Sequence, residues 1–459
     1  MRTTVVTAVF GLLLVTTFAI GGKEGPEPLS PSNATPKGAE AADAAIKKMI
    51  EDLASDDWRT REKAGLDLAT KGDKALPHMR AAMLATDSPE VQRRLAVLVR
   101  KLDRDRLVEP RRVTLSAKDQ TPKQIFDEIA KQSGYRIEFG GGGPEGKYSF
   151  EFDKTPFWQA VDAVANAAGF TVYAEYDDDT IRVYAQDTMN PHVAYAGPFR
   201  FLATNINTSR SLQLSGISKR EGTPRVNEYM NLSFQVQSEP KNPMLGMMMP
   251  ELTEARDDLG GSLLPPQERN GYRSGYYSGG YRGHNTYMSV NLVRGDRAAT
   301  TLKSLKGKVS VVLLSGTVPD IVVTDALKVK KKSFAGRTVG IDVESIEEDA
   351  NQKGVYVVSL VAKRVTPVDP NRGEDYGWSN NLWQRMELTD EKGNKYFCYG
   401  PSTHNNDGGS VRLTVQFGSQ DRRTGRPGPS LGVPTKLTIT EWQTITHEVS
   451  FAFKDIPLP

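Results

Sequence analysis

The spacing of apolar residues changes twice along the chain. Between about residues 41 and 107 it is helical. Ile46, Met49, Ile50 and Leu53 fall on one face, and Val91, Leu95, Leu98 and Leu102 on another. Asp56 or Asp57 is placed to cap a helix carrying Trp58, Ala64, Leu66 and Leu68, and Gly72 to end it. A further run holds Leu76, Met79, Met83 and Leu84, with Pro77 in its first turn. Ser88-Pro89-Glu90 opens the next: a capping hydroxyl, a proline at the first helical position and an acid near the positive helix end.

Strict alternation then begins at Val113, Leu115 and Ala117. Thr121-Pro122-Lys123-Gln124 predicts a capped helix with Ile125, Phe126 and Ile129 inside it and Gly134 at its end. Tyr135, Ile137 and Phe139 alternate again. Tyr148, Phe150 and Phe152 do the same, followed by Thr155-Pro156, a helix to Gly169, and then Phe170, Val172 and Ala174. Asp119, Thr121, Pro122 and Gly134 therefore match Asp153, Thr155, Pro156 and Gly169, an internal duplication of strand, helix and strand. From about residue 190 short alternating runs such as Leu232–Val236, Val309–Leu313, Val355–Val361 and Val411–Phe417 recur between turn residues and predict an all-β region. Glu251-Leu252-Thr253 with Asp258-Leu259-Gly260 parallels Glu387-Leu388-Thr389 with Glu391-Lys392-Gly393, which suggests two β-sandwiches of related design joined near Leu327–Lys330.

The expected fold class is multidomain α+β. It comprises a signal peptide over 1–22, a flexible linker over 23–40, helical hairpins over 41–107, a small duplicated βαβ domain over 111–187, and two antiparallel β-sandwiches over 190–327 and 328–459. The first sandwich carries a Tyr/Gly-rich insertion at 265–287. The stretches Asp56–Ala64 and Asp87–Arg94 resemble the start of a HEAT-type helical repeat, a family that presents surfaces to proteins. That resemblance puts Trp58 and Arg61 among the candidate binding residues. Val113-Thr114-Leu115-Ser116, Gln132–Ile137 and Thr180–Val183 resemble the short N-terminal domain shared by secretins and TonB-dependent receptors. That family docks envelope proteins, which implies docking here as well. The arrangement as a whole resembles uncharacterised exported proteins of environmental bacteria.

Composition narrows the class. Val5 to Ile20 is an uncharged apolar run after Arg2, and Ala19 and Gly21 are small residues at signal-peptidase positions, so export to the periplasm or the cell surface is expected. No later segment is expected to span a bilayer once the signal is cleaved. The net charge is only +3, which gives no case for a nucleic-acid partner. Cys398 is the single cysteine, so no intrachain disulfide can form, and its neighbours make it a small core residue.

No nucleophile elbow, zinc-protease motif or phosphate loop is present, and the five histidines belong to five different segments. No enzymatic activity and no cofactor are expected. Met244, Met247, Met248 and Met249 either hold Cu(I) through soft thioethers or bury themselves in a strand. In the insertion, Tyr272, Arg273, Tyr276, Tyr277, Tyr281 and Arg282 alternate with glycines. Such a run stacks on sugars, or it is simply a soluble insertion. The expected function is a non-enzymatic exported adaptor or scaffold for envelope proteins. The alternative is a glycan-binding protein that uses this loop and the sandwich surfaces.

Overall fold

The computed structural model describes residues 37–140, 146–174, 180–186, 188–214, 225–266, 278–365, 377–406, 409–420 and 430–459. The expected signal segment and most of the tether lie outside these residues. Residues 1–95 and 96–459 form separate compact units.

Helices α1 (Lys37–Asp52), α2 (Trp58–Lys71) and α3 (Leu76–Ala85) belong to the first unit, where α4 (Pro89–Val108) also begins. Asp57 caps α2 by accepting from the amides of Arg59 (3.3 Å) and Thr60 (3.1 Å), and Ser88 accepts from the Val91 amide at 3.4 Å ahead of Pro89. Ile46, Leu53, Leu68, Met79 and Leu95 are buried. Among the described residues the expected helical repeat is not shown, and the α+β class is corrected with it: they are mostly β, with 51% strand against 25% helix. Caps locate helix starts, but a repeat also requires successive hairpins of matching length that stack. Here α1 to α4 run 16, 14, 10 and 20 residues.

The second unit opens with β1 (Arg112–Gln120), α5 (Pro122–Ser133), β2 (Arg136–Phe139), β3 (Tyr148–Pro156), α6 (Phe157–Ala168), β4 (Phe170–Ala174) and β5 (Thr180–Ala185). Thr121 and Gln124 close a capping box on α5, and Gly134 and Gly169 end the two helices at φ 73° and 70°. β1 pairs with β3. β5 lies between β2, which is parallel to it, and β4, which is antiparallel. Phe126, Ile129, Phe157 and Val164 share one core with Ile181 and Val183.

The remainder is sheet. It continues through β6 (Val193–Ala196), β7 (Phe199–Gln213), β8 (Arg225–Ser238), β9 (Met244–Met247), β10 (Glu251–Asp257), β11 (Ser278–Gly283), β12 (Asn285–Leu292) and β13 (Thr301–Thr324). It then runs through β14 (Lys332–Ala335), β15 (Val339–Glu348), β16 (Tyr356–Arg364), the short helix α7 (Gly377–Asn380), β17 (Met386–Asp390), β18 (Phe397–Asn406), β19 (Ser410–Gly418) and β20 (Pro434–Pro457). The sheets have strand orders β12-β8-β7-β6, β14-β15-β16-β19-β18 and β11-β9-β13-β20-β17, and β10 also pairs with β13.

Two apolar cores result. Phe201, Phe234, Leu305, Val311, Phe451 and Phe453 belong to the first, and Val323, Ile341, Leu360, Leu413, Phe417 and Ile439 to the second. The 24-residue strands β13 and β20 pair from Thr301 opposite Pro457 to Thr324 opposite Lys436. β13 therefore starts in the first core and ends in the second, while β20 does the reverse. The two lobes exchange strands, so they are not sandwiches strung on a linker. Alternation marks the buried face of a strand and does not say which core receives it.

Each lobe has a tight turn closed by an aspartate, Asp257 in one and Asp390 in the other. The Asp257 amide donates to Gly261 O at 3.0 Å and the Asp390 amide to Asn394 O at 3.1 Å. Each carboxylate accepts the returning amide, from Gly261 at 2.6 Å and from Asn394 at 2.8 Å. Both acids serve their own turn, as short acidic side chains do.

Candidate functional site: a neutral cleft beside the first lobe

In β8, Leu232, Phe234 and Val236 face the core, so Gln235 and Gln237 stand on the opposite side of the sheet. The register sets Gln235 between Leu202 of β7 and Tyr287 of β12, and Gln237 opposite Asn285. This row forms one side of a cleft. The other side comes from Thr171–Ala174 of β4, which is an outer strand of its sheet, together with Tyr184, Ala185 and Gln186. The volume is about 710 Å³, within the range of roughly 300–1,000 Å³ found for small-ligand sites. Asn190 completes the lining, to which no acidic or basic side chain contributes among the described residues.

The aromatic rings are held in place. Tyr173 meets Tyr184 edge-on, with centroids 5.5 Å apart at 78°. The Tyr173 hydroxyl donates to Gln186 Oε1 at 2.9 Å. The Tyr184 ring lies against Gly140, where a Cβ would fall 2.0 Å from a ring carbon. Gln235 Nε2 donates to the Tyr287 hydroxyl at 3.2 Å. Tyr173 and Tyr287 remain 44% and 58% exposed. Asn285 Oδ1 is shielded from solvent and no donor of the protein reaches it.

Two buried polar clusters fix the cleft's sides. Asp162 of α6 pairs with Arg200 of β7 and accepts from the Tyr195 hydroxyl at 2.7 Å. Arg200 Nε also donates to Gln237 Oε1 at 3.0 Å, and its guanidinium lies 4.1 Å from the Trp158 ring centroid. Burial and the neighbouring Asp162 push the Tyr195 hydroxyl's pKa up. In the second cluster, Glu239 follows β8 and is fully buried. It accepts the Arg111 amide at 3.2 and 3.0 Å and the Tyr135 hydroxyl at 2.8 Å. Lys241 lies 5.8 Å from the Tyr135 ring centroid and donates to Gly134 O at 2.5 Å. Burial raises the Glu239 carboxyl to about 7, against the pull of the Arg111 amide and the Tyr135 hydroxyl. Burial and Glu239 likewise push the Tyr135 hydroxyl up.

The residues singled out from sequence are dispersed. Met244 and Met247 are buried in the first core, Met248 is half-buried and Met249 is exposed, so the four thioethers are split between core and surface. A register shift in β9 lets Met244 and Met247, three residues apart, both turn inward. Tyr272, Arg273, Tyr276 and Tyr277 lie outside the described residues, as does the Tyr281 side chain. The Arg282 amide donates to Gln384 Oε1 at 2.7 Å, and Gln384 Nε2 donates back to Arg282 O at 3.2 Å, fastening β11 to the second lobe. In the first unit Trp58 is 60% exposed, and Arg61 is engaged with the carbonyls of Ser55 (2.6 Å) and Asp56 (2.9 Å). Cys398 is half-buried against the second core. Among the described residues no group of His, Cys, Asp and Glu is arranged to hold a metal.

Sequence reasoning missed Tyr173, Tyr184 and Gln235. Their only signal was an aromatic or amide at the solvent phase of a strand. Tyr287 is the described tyrosine of the Tyr/Gly segment that reaches the cleft. Compared with known protein families and with curated proteins, the chain matches none.

Proposed function

We propose that this chain is a non-enzymatic binding protein of the bacterial cell envelope, with the cleft as its ligand site. The observation that carries this reading is a cleft lined with tyrosines and amides, together with the buried polar clusters Asp162–Arg200 and Glu239–Tyr135. Two walls locked in this way form a standing site, and the lining supplies aromatic faces with hydrogen-bond donors and acceptors for recognition. The resemblance of residues 111–187 to an envelope docking domain supports location and a binding role, and the apolar run Val5–Ile20 supports export. An adaptor for envelope proteins and a glycan-binding protein are both forms of this reading.

The test immobilises the chain from residue 23, beside a Tyr287→Ala, Gln235→Ala double variant, and exposes both to envelope extract. Retained material is analysed as protein and as polysaccharide, immediately and after long incubation. One class held by the parent, lost from the variant and recovered chemically unchanged is the expected result. Equal retention by both proteins removes the cleft from the function, and a chemically altered ligand overturns the non-enzymatic reading.

A further inference from the structure

Resting on that binding reading, we propose that the cleft takes a neutral oligosaccharide chain, seated on Tyr173 and Tyr287 and hydrogen-bonded by Gln186 and Gln235. A side-chain amide both donates and accepts, as a sugar hydroxyl does, so a row of amides matches a row of hydroxyls without choosing one proton arrangement. The tyrosine rings offer flat apolar faces with a polar edge, suited to the C–H face of a pyranose whose rim is wet. Both rings are already restrained, Tyr173 by Gln186 and Tyr184, and Tyr287 by Gln235, so little side-chain freedom is lost on binding.

Charge and depth argue for this class over others. Among the described residues of the lining, no cation would pair with a phosphate or a uronic acid, and no acid with an amine. A protein partner anchors through large apolar side chains in desolvated pockets, whereas here amides occupy the floor positions beside Tyr287.

The experiment is calorimetric titration of the full mature chain with neutral hexasaccharides: β-1,4-glucan, β-1,3-glucan, α-1,4-glucan and N-acetylglucosamine oligomers. Hexagalacturonate serves as the charged control. At least one neutral hexamer is expected to bind. Its affinity should fall about tenfold or more in Tyr287→Ala, the scale of a lost aromatic contact, and stay within about threefold in Tyr287→Phe, which keeps the ring. Unchanged circular dichroism in both variants keeps the comparison clean. Absence of binding by all four neutral hexamers, equal binding of hexagalacturonate, or indifference to Tyr287→Ala overturns the proposal. If no sugar binds while the cleft double variant loses an envelope protein, the ligand class falls and the binding reading stands. If that variant also retains everything the parent does, both fall.

Discussion

Replacing Glu239 with Gln tests the physics of the interface beside the cleft. The carboxyl is fully buried and burial lifts its pKa to about 7, whereas in the unfolded chain it titrates near its ordinary 4.5. Below 4.5 both states hold the proton, and the group imposes no penalty. As pH rises from 4.5 to 7 the unfolded chain ionises first, so the folded state loses ground, and above 7 the loss is complete. At 1.36 kcal/mol per pH unit the gap amounts to about 3 kcal/mol. Gln has the same shape and retains an oxygen to accept the Arg111 amide and the Tyr135 hydroxyl, but it never ionises. The assay is urea unfolding of parent and Glu239→Gln at pH 5, 6, 7 and 8, with amide exchange at Arg111 as the local readout. The difference between the two proteins should grow by about 2.5 kcal/mol in favour of the variant from pH 5 to pH 8. A difference that stays flat, or a variant that is less stable at pH 8, would refute the argument that desolvation dominates at Glu239.

Three further outcomes follow from particular contacts. Asp162→Ala strands the buried Arg200 and should cost about 3 kcal/mol, the low end for a broken buried pair because Gln237 still accepts from the guanidinium. An Asp162→Leu, Arg200→Met double variant should recover most of that loss in urea melts. Gly140→Ala places a methyl 2.0 Å from a Tyr184 ring carbon. It should cost roughly 1–3 kcal/mol by overpacking and weaken ligand retention while far-ultraviolet dichroism stays unchanged. Met247→Ala empties a fully buried site in the first core and should cost about 2–5 kcal/mol, whereas the exposed Met249→Ala should stay within about 0.5 kcal/mol. Equal effects from the two would contradict their different environments.

Much of the local structure was legible in the chain. Asp57, the Thr121–Gln124 box and the closing glycines 134 and 169 act where their chemistry places them, because each motif completes itself within a few residues. The phase of Leu232, Phe234 and Val236 marked the core face of β8, and with it the opposite row that holds Gln235 and Gln237. The cleft was not legible, since Tyr173 and Tyr287 lie on strands of different sheets and no pattern in either strand names the other.

The sequence by itself determined where helices begin and end, which side of each strand is apolar, and how the Asp257 and Asp390 turns close. All of these depend on groups a few bonds apart. The tertiary structure decided what lay at long separation. It set the exchange of β13 and β20 between two cores, and the pairing of Tyr135 with Glu239 and of Asp162 with Arg200. A period of two or of 3.6 selects a face, and any apolar surface of matching shape satisfies it. Only packing of the whole chain chooses the partner, and here that choice also brought amides and partly exposed tyrosines together in one cleft.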